Sequence, residues 1–191
     1  MGSDSLERVA QEVQACQACG LYRGRRHTVP GEGAAPARLM LIGEGPGKQE
    51  DAEGRPFVGS AGQLLDRMLA AIRLDRSQVY IANVVKCRPP QNRTPSDEEA
   101  LACLPFLSRQ IALVDPEVIV TLGATATRAV LGADMRITRV RGQWQRLGAR
   151  AVMPTYHPAF LLRDPRQKPL VWEDLRQVAA RLDISLVSEE S

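Results

Sequence analysis

The sequence predicts an α/β fold: a three-layer α/β/α sandwich around a central four-stranded parallel sheet. Three observations lead there. Short apolar runs that stop at glycine or a polar residue recur along the chain, amphipathic stretches separate them, and the chemically unusual residues follow directly on the apolar runs. Runs that are hydrophobic throughout suit strands buried on both faces, and strands alternating with helices imply a parallel sheet covered on both sides. The chain has 191 residues, 44% of them hydrophobic and 25% charged, which suits one globular unit. A single domain over residues 1–191 is expected, with short tails at 1–5 and 184–191.

The elements follow in order. Met1-Gly2-Ser3 reads as an expression or initiator remnant. Residues 6–16 place Leu6, Val9, Ala10 and Val13 at helical spacing, and the Gly/Pro-rich residues 28–36 read as loop. Residues 38–43 form the first strand. After a glycine-rich loop, residues 60–72 carry Leu64, Leu65, Met68, Leu69 and Ile72 on one helical face. Residues 79–85 are the second strand. Ser96 caps a third helix with Glu98 and Glu99 in its first turn, where the helix dipole favours carboxylates. Residues 118–122 make the third strand, 124–131 a short helix, 151–155 the fourth strand and 172–182 a closing helix.

Bulk properties exclude some classes of function. No apolar run approaches the roughly 20 residues that span a bilayer. The polar start lacks the basic-then-apolar order of a signal peptide, so a cytoplasmic protein with no membrane association is expected. The net charge of +3 says little about partners. All but three of the 25 basic residues are arginine, the exceptions being Lys48, Lys86 and Lys168. A planar fork of donors suits phosphate, although a GC-rich coding bias gives the same composition. The clusters Arg23-Arg25-Arg26 and Arg136-Arg139-Arg141 are candidate contacts to a nucleic-acid backbone.

Two features carry chemistry. The four cysteines fall as Cys16-x2-Cys19 and Cys87-x15-Cys103. In a cytoplasmic protein disulfides are disfavoured, so four thiolates suggest tetrahedral zinc or a four-iron cluster; spacing alone does not choose between them. The second feature is the set of segments at strand ends, where open parallel sheets bind ligands. Gly43-Glu44-Gly45-Pro46-Gly47-Lys48-Gln49-Glu50-Asp51 follows the first strand. It lacks the Gly-Lys-Ser/Thr ending of a phosphate loop, and its carboxylates repel phosphate. Its glycines instead admit a flat ligand close to the backbone. Phe57 sits between glycines in a chain with few aromatics, Asn83 lies near the end of the second strand, and His157, one of two histidines, follows the fourth.

The segments GEGPGKQED, GRPFVGSAGQLL, NVVKCRPPQNRTP and YHPAFLLR, in that order and spacing, resemble the signature segments of the family 4 uracil-DNA glycosylases, from about Cys16 to about Leu182. The resemblance implies a uracil-DNA glycosylase-like fold and a [4Fe–4S] cluster on Cys16, Cys19, Cys87 and Cys103. It also implies an activity: release of uracil from single- or double-stranded uracil-containing DNA, leaving an abasic site. Related proteins that become covalently linked to the base carry an Arg-rich, His-containing insertion after the second strand. Residues 88–95 here are short and contain no histidine, so an ordinary monofunctional, monomeric glycosylase is expected.

The resemblance also implies roles for single residues. His157 donates to the uracil O2 as negative charge develops there, and a neutral imidazole suffices. Asn83 accepts from N3–H and donates to O4, a pattern opposite to that of cytosine. Phe57 stacks on the extruded base, and the backbone of Gly43, Glu44 and Gly45 contacts its oxygens. Leu161, four residues after His157, is the candidate wedge that fills the gap in the duplex, with Arg163 and Arg88 on flanking phosphates. Gly45 stands where other uracil glycosylases place an aspartate, which leaves Glu50 or Asn92 to position the water. Three readings compete with this one: a glycosylase-like module that binds uracil or abasic DNA without turnover, a zinc- or cluster-bearing structural protein with a nucleotide-like pocket, and the same chemistry on a broader range of bases, such as hypoxanthine or uracil analogues.

Overall fold

A computed structural model describes residues 3–186. Met1 and Gly2 of the expected remnant, and the expected tail beyond residue 186, lie outside the described residues. Asp4 pairs with Arg109 and the Ser5 hydroxyl caps the first helix.

Six strands form one mixed sheet: β1 (Glu32–Gly33), β2 (Leu39–Gly43), β3 (Tyr80–Asn83), β4 (Val118–Leu122), β5 (Gln145–Leu147) and β6 (Arg150–Thr155). Their order is β1-β3-β2-β4-β6-β5. The inner four, β3-β2-β4-β6, are the expected parallel strands. The sheet is wider than the expected four strands because two short antiparallel strands cap its edges, β1 on β3 and β5 on β6. Both edge strands are polar and half-exposed, so they carry no apolar run in the sequence.

The helices are α1 (Leu6–Ala15), α2 (Lys48–Glu53), α3 (Ser60–Ala71), α4 (Asp97–Val114), α5 (Ala124–Leu131), α6 (Ile137–Val140), α7 (Pro158–Arg163) and α8 (Lys168–Arg181). Alternation along the strands divides the core in two. Leu39 and Leu41 of β2 and Val118, Val120 and Leu122 of β4 pack with Leu65 and Leu69 of α3 and Leu175 and Val178 of α8. Met40, Ile42 and Ile119 point the other way, to Leu107, Ile111 and Val114 of α4. The result is the expected three layers. The helix expected at 172–182 starts earlier, at Lys168, and α2, α6 and α7 are additional.

The chain lays down β2, adds β3 on one side and then crosses to add β4 on the other. Parallel sheets bind ligands beyond the strand ends at such a reversal. The strand ends that converge there carry Gly43, Asn83, Leu122 and, two residues beyond β6, His157.

Candidate active site

A cavity of about 920 Å³ opens at these strand ends, with Glu44, Phe57, Asn83, Gly123 and His157 among its lining residues. Asn83 closes β3 and is buried, yet its Oδ1 has no hydrogen-bond partner. An unpaired buried acceptor costs about 1–3 kcal/mol, so an orphan on the wall of a cavity marks where a ligand donor belongs. Gly43 makes room for it. A Cβ on Gly43 would lie 2.5 Å from Asn83 Oδ1 and 2.5 Å from Phe57 Cζ. We expect Gly43→Ala to fold but to lose the base release that the resemblance implies by about 100-fold or more, because both side chains must move and misplacement of that size is costly; single-turnover kinetics beside a melting curve check this.

Phe57 adopts a left-handed backbone, φ 53°. Its ring stacks on the His157 imidazole, with centroids 5.5 Å apart and planes inclined by 27°. His157 is the N-cap of α7: its Nδ1 accepts from the Ala159 amide at 3.0 Å. A ring nitrogen that accepts carries no proton, so in the neutral ring the hydrogen is on Nε2. Burial, and then the positive charge of Arg163, pull the His157 pKa down to about 4, against an opposing pull from Glu50. At neutral pH the side chain is therefore an uncharged Nε2–H donor. Gly123 stands behind it with φ +91°, and a Cβ there would come within 3.1 Å of the His157 Cβ.

A second pocket is lined by all four cysteines together with Arg25 and Lys86. Cys16 caps the end of α1, Cys19 precedes a 3₁₀ turn, Cys87 follows β3 and Cys103 lies within α4. Arg25 Nη1 donates to Cys87 Sγ at 3.3 Å and to the Cys16 carbonyl at 2.9 Å. The fully buried Lys86 donates to the Asn83 carbonyl and to Gln110 Oε1, each at 2.6 Å. Two cationic side chains at a four-thiol pocket suit a ligand group that is anionic when thiolates are bound. Among the described residues, no three His, Cys, Asp or Glu side chains gather closely enough to hold one metal ion.

The chain matches the uracil DNA glycosylase superfamily over residues 30–176. It is 46% identical over 184 residues to the type-4 uracil-DNA glycosylase of Sulfurisphaera tokodaii, covering 92% of this chain and 84% of that one. Against the type-4 uracil-DNA glycosylase of Thermotoga maritima it is 47% identical over 178 residues, 90% of this chain and 92% of that one. The chain belongs to the type-4 family of the uracil-DNA glycosylase superfamily. Similarity to the type-5 uracil-DNA glycosylase of Pyrobaculum aerophilum is lower, 34% over 158 residues, with 73% of this chain and 68% of that one covered.

Several residues expected from the type-4 resemblance are engaged within the chain itself. Leu161, the expected wedge, is 1% exposed and packs in the core beneath α7, whereas its neighbour Leu162 is 43% exposed. Glu50 lines the cavity, but its carboxylate already accepts from three backbone amides: Gly47 at 3.1 Å, Val58 at 2.9 Å and Gly59 at 2.9 Å. These bonds tie together the loops before and after α2. Asn92 lines the cavity too, with its Oδ1 accepting from Arg88 Nε at 2.7 Å. Arg88 is thus turned toward Asn92, whereas Arg163 is exposed at the cavity. Two arginines read as backbone contacts have protein acceptors instead. Arg25 serves the cysteine pocket, and Arg141 pairs with the buried Asp174 at 2.6 Å.

Sequence reasoning missed two residues. Thr125, at the start of α5, donates to Glu44 Oε2 at 2.5 Å and so fixes that side chain. Arg76 binds the backbone at Phe57. Neither carries a sequence signal, because each acts through a contact far along the chain.

Proposed function

We propose that this protein removes uracil from DNA by hydrolysing the N-glycosidic bond, leaving an abasic site, and that it works as one glycosylase domain. The observation that carries the reading is the pairing in one cavity of an orphaned acceptor, Asn83 Oδ1, with a neutral donor, His157 Nε2–H. Uracil presents an N3–H donor beside O2 and O4 acceptors. Cytosine presents an acceptor at N3, which would leave Asn83 Oδ1 facing another lone pair.

The chemistry follows from that pairing. The target nucleotide leaves the stack and enters the cavity, at a cost of a few kcal/mol that is smaller for a mismatched or single-stranded base. Phe57 stacks on the base and Asn83 binds its N3–H edge. As the glycosidic bond breaks, electrons move onto the base, and the His157 Nε2–H stabilises the negative charge at O2. An imidazole that stays neutral does not need to lose a proton at that moment. Water then adds to the sugar. With Glu50 committed to backbone amides and the Asn92 oxygen to Arg88, Glu44 is the cavity carboxylate assigned to orient it, held in place by Thr125. Leu162, exposed on α7 beside the cavity residue Arg163, takes the wedge role in place of Leu161.

Cys16, Cys19, Cys87 and Cys103 would hold the [4Fe–4S] cluster. Four thiols that line one pocket beside Arg25 and Lys86 fit such an anionic group. Cys16 at the end of α1, Cys19, Cys87 after β3 and Cys103 in α4 would thereby be tied together, a structural role, since base excision needs no electron transfer. We expect Cys87→Ser to lose bound iron and to lower Tm by roughly 10 °C or more, read by iron content and thermal melting.

The reading is tested with anaerobically purified protein on labelled oligonucleotides carrying one dU, dC or dT, followed by alkali. Cleavage at dU alone supports it. Tight binding to dU-DNA with no cleavage would point to a binding module. Among the described residues no helix is long and apolar enough to cross a membrane.

A further inference from the structure

The Phe57 segment is gripped from both sides by charged side chains, only one of which lines the cavity. Glu50 binds the amides of Val58 and Gly59. From the other side, Arg76 Nη1 donates to the Pro56 carbonyl at 2.9 Å and Arg76 Nη2 donates to the Phe57 carbonyl. Arg76 lies in the 3₁₀ turn between α3 and β3, with its side chain mostly buried, and does not line the cavity. Its orientation is set by two carboxylates: Asp66 of α3 accepts from Nε at 2.6 Å, and Glu32 of β1 accepts from Nη1 at 2.8 Å. Glu32 is in turn shared with Arg55.

We propose that Arg76 is a positioning residue for base recognition, holding the Phe57 ring in stacking geometry by binding the carbonyls on either side of its α-carbon. Phe57 needs such a hold. A residue with a Cβ is disfavoured at φ 53°, so the segment relaxes toward negative φ unless something outside it fixes the peptide planes. Two carbonyls presented side by side match the planar fork of arginine, which lysine does not reproduce. Gly62 completes the arrangement: a Cβ there would lie 1.7 Å from the Phe57 oxygen, so α3 packs directly on the carbonyl that Arg76 binds. The edge strand β1, remote from the chemistry in sequence, thereby enters base recognition through Glu32.

The inference rests on the stacking role given to Phe57, and a double-mutant cycle separates the two claims. Wild type, Phe57→Leu, Arg76→Gln and the double variant are compared by single-turnover uracil release with protein in excess of DNA but below saturation, with Arg76→Lys as the conservative variant. Iron content and melting curves are measured alongside. Phe57→Leu and Arg76→Gln are each expected to slow release about tenfold, and the double variant is expected to be no slower than Phe57→Leu alone. Arg76→Lys should fall between wild type and Arg76→Gln, since it offers one donor direction. Full activity in Phe57→Leu would overturn the stacking role itself. A slow Phe57→Leu with multiplicative losses in the double variant, or with unimpaired Arg76→Gln, would overturn the positioning role of Arg76 alone. If Arg76→Gln does not fold, the cycle with Arg76→Lys decides in the same way.

Discussion

Replacing His157 with alanine is expected to slow single-turnover release of uracil by about 10²–10³-fold, the range found when one donor to a developing oxyanion is removed. The fold should survive, because the side chain faces the cavity and its one hydrogen bond caps a six-residue helix. The pH dependence is the sharper part of this expectation. Burial and Arg163 hold the imidazole pKa down at about 4. The catalytic form is therefore the neutral one, fully populated at and above pH 6 and lost as pH falls through about 4. Protonation puts a hydrogen on Nδ1, where it opposes the Ala159 amide, so the low-pH form loses its cap as well. The rate should show no inflection from this group between pH 6 and 8, where an ordinary histidine titrates. A His157→Ala profile retaining the same acid limb would assign that limb to another group.

The second large effect belongs to Asn83. Asn83→Ala removes the acceptor for N3–H and leaves a space in the wall; a site built to hydrogen-bond a substrate group discriminates through that bond by up to about 10⁴–10⁵. We expect uracil release to fall by more than about 100-fold. Asn83→Asp changes the choice of base instead. A carboxyl group buried at this position stays protonated more readily than in water, and its O–H can donate to the cytosine N3 while its other oxygen accepts from the amino group. The ratio of cytosine to uracil release should therefore rise, measured on matched oligonucleotides differing in one base. An unchanged ratio with both rates equally reduced would mean that Asn83 does not read the base edge.

Legibility in the sequence depended on how local the cause of each feature was. The inner strands were readable because burial on both faces demands unbroken apolar runs, such as Leu39–Gly43 and Val118–Leu122. The edge strands β1 and β5 were not, since two or three polar residues owe their strand form to a neighbour's free edge. Helices α2 and α7 have six residues each, too few for helical periodicity to register. In the site, position at a strand end marks Asn83 and His157, and the resemblance to the type-4 segments is what gives these two and Phe57 their roles. Orientation was not readable. Spacing from His157 does not say which face of α7 meets the core, and it is Leu162 that is exposed there while Leu161 is buried. Nor does a sequence reveal where a charge is already satisfied. Glu50, Arg25 and Arg141 looked free to act on water or phosphate, and each is bound to groups of this same chain.

The most direct test of the account is the protonation state of His157. The chain has two histidines, His27 and His157, so ¹⁵N-edited NMR of the imidazole rings, assigned against His157→Gln, reports the ring without ambiguity. The account requires a neutral ring at pH 7 with its proton on Nε2, charging only as pH falls toward 4. A proton on Nδ1, or an imidazolium at neutral pH, would contradict it.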